Sequence, residues 1–478
     1  MNIKKIFVAT MMLLLVSTTA VSVFIPCDAD PPVEDTISSE NIGQLTSTIL
    51  NISLTEGCNV KLIDNLSDFP NSVNDDLYLI NPSLVVKNDT TVIKNQIEST
   101  ILDGNSIMMI GSSELLTQLK DVPISIDFNA PIVCIKYHSD NGYSSVMSLD
   151  VEDKSLIENH IKNWMSLNDN PSNILMSSDI SFGTSWHTAS ILESIKQDSW
   201  GTTYVRAIYG YAPEQQLQWN YVCGKLIIEV EPADSILTPY FTNKVFVQME
   251  PYNYTDQARD RYLFDHGPSS KSNSTAYVNL STSDVPSISW QYLLNAIDID
   301  DSGTSYMYDI LDQEYDYDYL FSSAKEKSIL KPGILVGIDC VDGHFKTGSY
   351  TGTDTVNVEY KKMISGGILP SWLYKTHTLN IHTSIKANPY TISIDGNGHD
   401  GNYIYEESGD ETYNVDVYET QWSHGGTYTL LNDMFYKDGH TYIGLSTNPN
   451  ATTPEYVDFD DIVVTGDLYL YCIYEENS

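Results

Sequence analysis

The segment "HTYIGLSTNPNATTPEYVDFDDIVVTGDLYLYCIY", residues 440–474, has the pattern of short β-strands separated by turns. A polar Asn/Pro/Thr turn and an acidic stretch precede a final run in which two sets of side chains alternate: Leu468, Leu470 and Cys472 against Tyr469, Tyr471 and Ile473. A period of two places each set on its own face of a strand. Similar short β-branched or aromatic tracts, bounded by Gly, Pro, Asn and Asp, recur over much of the chain. The sequence therefore predicts a β-rich protein.

The chain has 478 residues, which at roughly 150 residues per domain predicts about three domains. It carries 64 acidic and 25 basic side chains, a formal net charge of −39, and only three arginines. Such a surface repels phosphate backbones, so nucleic acid is excluded as a partner class. The 41% apolar and 11% aromatic content is enough to bury cores, so the chain is not expected to be disordered.

The N-terminus has the pattern of a secretory signal peptide. Lys4 and Lys5 precede an apolar run from Ile6 to Ile25, and small residues follow up to Ala29. The alternative is an N-terminal membrane anchor, since the run is long enough to span a bilayer. With residues 1–29 removed, the sequence predicts an exported chain without an integral membrane segment, secreted or associated with the cell surface.

Residues 39–168 alternate strand and helix patterns, which favours an open, mostly parallel α/β sheet. "DTTVIKNQIESTILDG" and "DKSLIENHIKNWMSL" have helical spacing, while "NVKLID", "DDLYLINP", "SIMMIGS" and "APIVCIKYH" are typical of buried strands. The phrase "VIKNQIESTILDGNSIMMIGS" resembles the helix–Gly–strand step of glutamine-amidotransferase-like domains. The cysteine nucleophile of that family is absent from "IGSSEL", so the resemblance implies a fold and no activity.

Residues 175–388 form the second predicted domain, after a break at "NDNPSN". Tracts such as "TTYVRAIYGYA", "KLIIEVEP" and "KVFVQMEPY" are typical of an all-β, sandwich-like domain, and "HTASILESIKQ" is predicted as one helix at its entrance. The fold class predicted for the whole chain is therefore multidomain α+β. It combines an α/β domain, a central β-sandwich-like domain and a small C-terminal β domain over residues 389–478.

The C-terminal stretch resembles a Listeria–Bacteroides repeat of the internalin B-repeat type over roughly 85 residues. The positions that carry the resemblance fall on an Asn-Gly turn, a Gly-aromatic strand and a closing strand: Asp395, Asn397 and Gly398; Phe435, Gly439, Tyr442 and Gly444; Asp467, Leu468, Leu470 and Tyr471. Two tryptophans of the family are replaced, by Leu445 and Tyr474. The resemblance implies an extracellular accessory module without catalytic residues. The residues themselves predict a small core of Tyr442, Leu445, Leu470 and Cys472.

The strongest cation signal is "DIDDSGTSYMYD", in which oxygen-bearing side chains occupy the ligand positions of an EF-hand-like calcium loop: Asp298, Asp300, Ser302 and Asp309. The closing acid is Asp instead of Glu, and the flanks are not clearly helical. A solvated acidic turn is the alternative. Calcium is the only cofactor that the sequence suggests.

Seven Asn-X-Ser/Thr sequons are candidate glycosylation sites in an exported protein: Asn51, Asn65, Asn88, Asn253, Asn273, Asn279 and Asn450. Cysteine usage leaves five residues after the leader, and their spacing selects no disulfide pairing: Cys58, Cys134, Cys223, Cys340 and Cys472. Cys134 and His138 lie four apart on one strand face, where a catalytic dyad or a core cysteine beside an edge histidine are the two interpretations.

No phosphate loop, dinucleotide fingerprint or zinc-protease motif occurs, so no enzyme class is indicated. The sequence instead favours an acidic secreted or cell-surface protein that binds an extracellular glycan or protein ligand through Tyr-rich β-faces, since 33 tyrosines offer large contact areas. Two alternatives stay open. One is a secreted β-barrel pore-forming toxin with the Ser/Thr-rich stretch 266–287 as its stem. The other is an exported hydrolase.

Overall fold

The computed structural model describes residues 39–50, 59–70, 72, 76–111, 113–119, 122–168, 182, 186–212, 219–235, 239–251, 261–272, 274–283, 285–306, 310–339, 349–364, 371–386, 390–402, 416–422, 427–430, 434–464 and 466–477. Several predicted features lie outside these residues: the leader, Cys58, Cys340, Asp309, Asn51, Asn253 and Asn273. Most of the described chain is β-strand, which confirms the prediction of a β-rich protein. Within the described ranges, no helix is long and apolar enough to cross a bilayer.

Four α-helices accompany the N-terminal strands: α1 (Ser39–Leu50), α2 (Pro82–Lys87), α3 (Thr90–Leu102) and α4 (Lys154–Asn168). Helix α3 begins where the Asp89 carboxylate accepts the backbone N–H of Thr91 at 2.8 Å. It ends just before Gly104, whose φ of +88° suits glycine best. Both helices predicted from their periodicity, α3 and α4, are present. Three short 3-10 helices are also present: Leu66–Asp68, Ser113–Gln118 and Ser322–Ala324.

One 11-stranded sheet, called sheet A here, runs from the N-terminal segment into the middle of the chain. Its strands are, in spatial order, β1 (Val60–Ile63), β2 (Leu77–Ile80), β3 (Ser106–Ile110), β5 (Ile132–His138), β6 (Tyr143–Val151), β7 (His187–Gln197), β8 (Gly201–Tyr211), β9 (Trp219–Pro232), β18 (Gly333–Asp339) and β11 (Arg261–Gly267), with β17 (Ser328–Leu330) also on β9. Strands β1, β2 and β3 are parallel, as predicted, whereas β3, β5 and β6 are antiparallel. A separate open-sheet domain stays a prediction.

Strand β6 pairs in parallel with β7, so the predicted domain boundary at 168–175 falls between two directly paired strands. The helix predicted for "HTASILESIKQ" is wrong, because these residues form β7. Residues 188–192 are all buried, and β7 is hydrogen-bonded to a strand on each side. A strand covered on both faces loses the alternation that identifies strands, so its sequence resembles that of a buried helix.

A six-stranded sheet, sheet B, packs against sheet A. Its order is β15 (Ile297–Asp300), β16 (Leu311–Tyr317), β10 (Tyr240–Pro251), β19 (Ser349–Ile364), β20 (Ser371–Lys386) and β4 (Ile124–Asp127). Side chains meet between the sheets, as where Tyr209 of β8 donates to Asp354 of β19. The edge strand β4 comes from the N-terminal segment. One apolar cluster therefore extends from Ile63 to Ile385.

A three-stranded sheet covers part of this body and consists of β12 (Lys271–Ser272), β13 (Thr275–Leu280) and β14 (Ile288–Leu293). Along β13 the burial alternates: Ala276, Val278 and Leu280 are buried in the main cluster, while Tyr277 and Asn279 are exposed. Trp290 of β14 fixes the sheet to the body through its Nε1, which donates to the carbonyl oxygen of Lys331 at 2.8 Å.

The C-terminal module, residues 390–477 as far as they are described, has a four-stranded sheet: β23 (Val417–Trp422), β21 (Tyr390–Asp395), β28 (Leu468–Glu476) and β26 (His440–Ser446). Two small pairs complete it: β22 (Gly401–Asn402) with β25 (Phe435–Tyr436), and β24 (Thr427–Thr429) with β27 (Asp461–Val463). Leu445, Leu470 and Cys472 are buried in its core with Tyr442 packed against them, as predicted. Asn397 and Gly398 have φ of +49° and +73°, which suits an Asn-Gly turn.

Candidate functional site

The residues predicted to bind calcium lie on β15 and the turn after it. The Asp298 side chain is exposed and forms an ion pair with Lys271 at 3.0 Å. The Asp300 carboxylate accepts the backbone N–H of Ser302 at 2.9 Å, and this bond lowers the pKa of Asp300. Asp309 lies outside the described residues. Among the residues that are described, no group of three His, Cys, Asp or Glu side chains is placed to hold a metal ion, and calcium binding stays a prediction.

The neighbouring Asp301, which sequence reasoning missed, is the centre of a hydrogen-bonded junction. Its two carboxylate oxygens contact His266 Nε2 at 2.9 Å, Thr304 Oγ1 at 2.7 Å and Gln313 Nε2 at 2.9 Å. Burial opposes ionisation of Asp301, but these hydrogen bonds outweigh it and lower its pKa. The junction joins β11 to β15 and β16, and a structural role accounts for these contacts.

Cys134 and His138 on β5 have different surroundings. Burial in an apolar cluster raises the pKa of the Cys134 thiol, which keeps it in the unreactive protonated form. His138 bonds through Nε2 to the Asn168 side chain at 2.8 Å and stacks on Tyr143. Burial lowers the pKa of this histidine. Both features match the core-cysteine interpretation better than a catalytic dyad.

Four of the sequon asparagines are described. Asn65, Asn279 and Asn450 are exposed, whereas Asn88 is half-buried and donates to the carbonyl oxygen of Leu84 at 2.9 Å.

A groove lies at one end of the body, between the end of β9 in sheet A and the beginning of β10 in sheet B. It has a volume of about 360 Å³. Its lining comes from three segments: Glu231, Pro232, Ala233, Asp234 and Ser235; Pro239 and Tyr240; and Lys325, Glu326 and Lys327. Both signs of charge are present, and Tyr240 supplies an aromatic ring. The groove therefore offers hydrogen-bond donors, acceptors and an apolar surface together.

Next to the groove is a cluster of rings and ammonium groups, here named the aromatic–lysine patch: Tyr240, Phe241, Tyr319, Lys361, Lys362 and Trp372. The Lys361 Nζ lies 5.1 Å from the ring centroid of Tyr319 and 5.3 Å from that of Trp372. The Lys362 Nζ lies 4.6 Å from the centroid of the Tyr240 ring. These are cation–π distances, and each contact is worth about 0.5–2 kcal/mol depending on exposure.

Strand register explains why the patch forms. Tyr240 is opposite Lys362 and Phe241 opposite Lys361 between β10 and β19, and Met363 of β19 is opposite Trp372 of β20. The Phe241 and Trp372 rings meet edge to face at 5.6 Å. The Lys361 Nζ also donates to Asn243 Oδ1 at 2.6 Å, and burial lowers the pKa of this lysine. The rings and ammonium groups are thus held in one arrangement.

A buried network supports the patch from the side facing sheet A. Trp200 packs edge-on against Tyr240 at 5.5 Å, and its backbone N–H is bound by the Asp198 carboxylate at 2.7 Å. Asp198 also forms an ion pair with Lys375 and contacts His377 Nε2 at 3.1 Å. Burial lowers the pKa of His377 despite the nearby carboxylate, and its Nδ1 atom lies 3.0 Å from Thr203 Oγ1.

Large apolar side chains adjoin the patch along the chain and are exposed: Leu320, Phe321, Leu373 and Tyr374. Sequence reasoning missed this region, although "YKKM" and "SWLYK" place three lysines beside tyrosine and tryptophan in a strongly acidic chain. The quoted stretches lie on the consecutive strands β19 and β20, but Tyr240 and Tyr319 are far from them in sequence, so only strand pairing and packing bring the patch together.

No family model and no curated protein matches the chain. Among solved structures, one titled "Pore forming protein" is 6% identical, with 43% of this chain and 92% of that chain covered and a TM-score of 0.30. The Clostridium perfringens NetB toxin in the membrane inserted form is also 6% identical, with 41% and 93% covered and a TM-score of 0.22. Similarity at these TM-scores has no bearing on what this chain does.

Proposed function

We propose that the protein is an exported, non-catalytic binding protein that contacts an extracellular glycan or protein ligand through the groove and the aromatic–lysine patch. The observation that carries the proposal is the arrangement of Tyr319, Lys361 and Trp372, whose rings and ammonium group are held by mutual contacts, with Tyr319 exposed, Trp372 half-buried and Lys361 buried. Pre-arranged aromatic side chains lose little conformational entropy on binding, which is why they dominate many recognition surfaces.

Charge also supports this position for a ligand site. The chain has 39 more acidic than basic groups, so most of its surface repels anionic partners. The patch combines the buried Lys361 and the half-buried Lys362 with the exposed Tyr319 ring. This combination of cation, ring and apolar side chain is suited to contact with another molecule.

The test is binding of the full mature chain to printed arrays of glycans and extracellular-matrix proteins. Trp372→Ala is expected to weaken binding at least tenfold, the effect typical of a central aromatic residue in a recognition surface. Tyr469→Ala, an exposed tyrosine of the C-terminal module, is the matched control and should bind like the unmodified chain. Equal binding by all three proteins, or binding of no arrayed ligand, would contradict the proposal.

Pore formation is the second candidate, because one observation favours it. Strands β12 and β13 of the three-stranded sheet fall within the predicted stem, and side chains along β13 alternate between a buried apolar face and an exposed face. Apolar and polar side chains alternate in this way along strands that line a membrane pore. Its attachment to the body includes contacts of Trp290 with Lys225 and Lys331.

Release of a dye trapped in lipid vesicles tests this candidate directly. A pore former should release the dye at nanomolar to micromolar protein, and tethering β14 to the body through an engineered disulfide should prevent release reversibly. Intact vesicles over that range would dismiss pore formation and leave the binding function as proposed.

A further inference from the structure

The groove beside the patch has the chemistry of a carbohydrate subsite. Three exposed carboxylates line it, those of Glu231, Asp234 and Glu326, and two exposed ammonium groups, those of Lys325 and Lys327. Carboxylates accept hydrogen bonds from hydroxyl groups, and ammonium groups donate to hydroxyl and ring oxygens. The exposed Pro239 and the half-buried Tyr240 add apolar surface of the kind on which the C–H face of a sugar ring packs.

The charge pattern of the groove disfavours an anionic ligand. The carboxylates outnumber the lysines, and Lys327 is paired with Glu229, so an anion would meet net repulsion. The remaining lysine of the lining, Lys325, has its ammonium group 5.4 Å from the Phe241 ring. A neutral ligand with many hydroxyl groups uses the donors and acceptors of both signs without an uncompensated charge.

Hydrogen bonds of the backbone hold two of the lining segments, and side-chain contacts hold the third. The N–H of Ala233 donates to the carbonyl oxygen of Trp200 at 2.8 Å. The N–H groups of Lys325 and Glu326 both donate to the carbonyl oxygen of Ser322, at 2.8 and 2.9 Å. The Tyr240 ring is held between Trp200 and Lys362. The groove is therefore formed before any ligand arrives, which reduces the entropic cost of binding.

We propose that the groove binds one neutral sugar residue of a glycan, and that the next residues of the same glycan lie on the aromatic–lysine patch. The inference rests on the proposed binding function and names its ligand class. The volume of about 360 Å³ is near the lower end for small-molecule sites and suits a single sugar residue. Tyr240 belongs to both the groove and the patch, so a continuous glycan would pass from one to the other.

The experiment measures binding of the full mature chain, by calorimetry and saturation-transfer NMR, to the methyl glycosides of glucose, galactose, mannose and N-acetylglucosamine and to their linear tetrasaccharides. One sugar type is expected to bind as the methyl glycoside with a dissociation constant on the order of 1 mM, and its tetrasaccharide at least about tenfold more tightly.

Two variants separate the groove from the patch. The double substitution Glu231→Gln and Asp234→Asn should weaken the binding of both the glycoside and the tetrasaccharide at least tenfold, because both ligands occupy the groove. Trp372→Ala should weaken only the tetrasaccharide. The pair Glu475→Gln and Glu476→Gln, exposed on the C-terminal module, is the matched control and should change neither value.

Glycoside binding that is unchanged in the groove variant would overturn the inference. So would binding of none of these saccharides, or groove-dependent binding to vesicles of phosphatidylcholine with phosphatidylserine in place of sugars. If no saccharide binds but an arrayed protein is bound in a Trp372-dependent way, the subsite is wrong and the proposed binding function stands. If no ligand of any class depends on Trp372, the proposed function fails as well.

Discussion

The body formed by sheets A and B and the C-terminal module are both built from strands rich in tyrosine, yet they bury different chemistry. The interior of the body holds ionisable groups that are at most 3% exposed, namely Asp127, Asp354 and His377. The module buries an apolar core, none of its described carboxylate residues is buried, and it encloses the ionisable side chain of His399, which is 7% exposed. A large interior can offset the cost of more buried polar groups than a small module can.

Because of this difference, we expect different factors to control the stability of the body and of the module. The body should respond to pH, because its buried carboxyl groups exchange protons on unfolding. The module should respond to packing and to turn conformation. The predictions that follow test this separation, beginning with the largest expected effect.

Leu470→Ala in the module and Leu379→Ala in sheet B remove the same side chain from fully buried positions. Each should lower the free energy of unfolding of its own region by about 2–5 kcal/mol. Because the module core is small, Leu470→Ala should abolish the module's own calorimetric transition, while Leu379→Ala only shifts the transition of the body. If both variants moved one shared transition, the two regions would unfold together and the comparison would fail.

Asp354→Asn tests the buried carboxyl group of the body. Burial raises the pKa of Asp354 to about 7, against an ordinary value near 4. The folded state therefore holds this proton more tightly, so its stabilising contribution is full below about pH 4 and is lost as the pH rises to about 7. The free energy of unfolding of the unmodified body, measured with a chemical denaturant, should fall by on the order of 1–4 kcal/mol over this range.

The free energy of unfolding of the Asp354→Asn variant should depend much less on pH. Relative to the unmodified chain, the variant should therefore be more stable at pH 8 than it is at pH 5. Asp438→Asn, at an exposed position of the module, controls for the loss of one negative charge. An identical pH profile for the Asp354→Asn variant and the unmodified chain would show that Asp354 is not protonated in the folded body.

Asn397 is expected to stabilise the module through its turn. Its side-chain amide donates to the carbonyl oxygens of Pro449 at 3.0 Å and Cys472 at 2.9 Å, and its φ is +49°. Asn397→Ala loses both bonds and strains the backbone, which should cost about 1–3 kcal/mol in thermal unfolding of the module. Asn397→Gly removes the two hydrogen bonds without straining the backbone. The stability of its module should lie between that of the unmodified chain and that of Asn397→Ala. Equal losses for Ala and Gly would remove backbone strain from the explanation.

Lys361→Met and Lys437→Met compare one lysine with cation–π contacts in each region, and they should have the smallest effects on stability. The Lys361 ammonium group contacts two rings and is largely buried, whereas Lys437 lies 5.7 Å from the single ring of Tyr474. We expect losses in unfolding free energy of about 1–2 kcal/mol for Lys361→Met and about 0.5 kcal/mol or less for Lys437→Met. A larger loss in the module would reverse this order.

Local patterns predicted the elements whose stabilisation is local. The spacing of apolar residues predicts the helix α3, and two residues that tolerate positive φ predict the turn at Asn397–Gly398. Periodicity of two also predicted the buried set in the C-terminal core. The strand β7 was mistaken for a helix because burial on both faces removed its alternation.

The candidate site was not predictable in the same way. Tyr240, Tyr319 and Trp372 come from three separate strands or loops, and each alone is an ordinary tyrosine or tryptophan of a β-rich chain. The calcium-loop pattern, by contrast, was visible in one continuous stretch. A motif confined to consecutive residues can be recognised in sequence, whereas a site assembled by strand register requires the register to be known.

The sequence by itself determined the β-rich character, the acidic surface and the face that each alternating side chain takes, because side-chain direction in a strand follows from the backbone period alone. Only the tertiary structure decided which strands pair. It joined β4 to β20 across some 250 residues of chain and placed Trp372 beside Lys361 and Tyr319. The physical reason is that backbone hydrogen bonds are the same for every strand, so partner choice depends on burial and packing summed over the whole body.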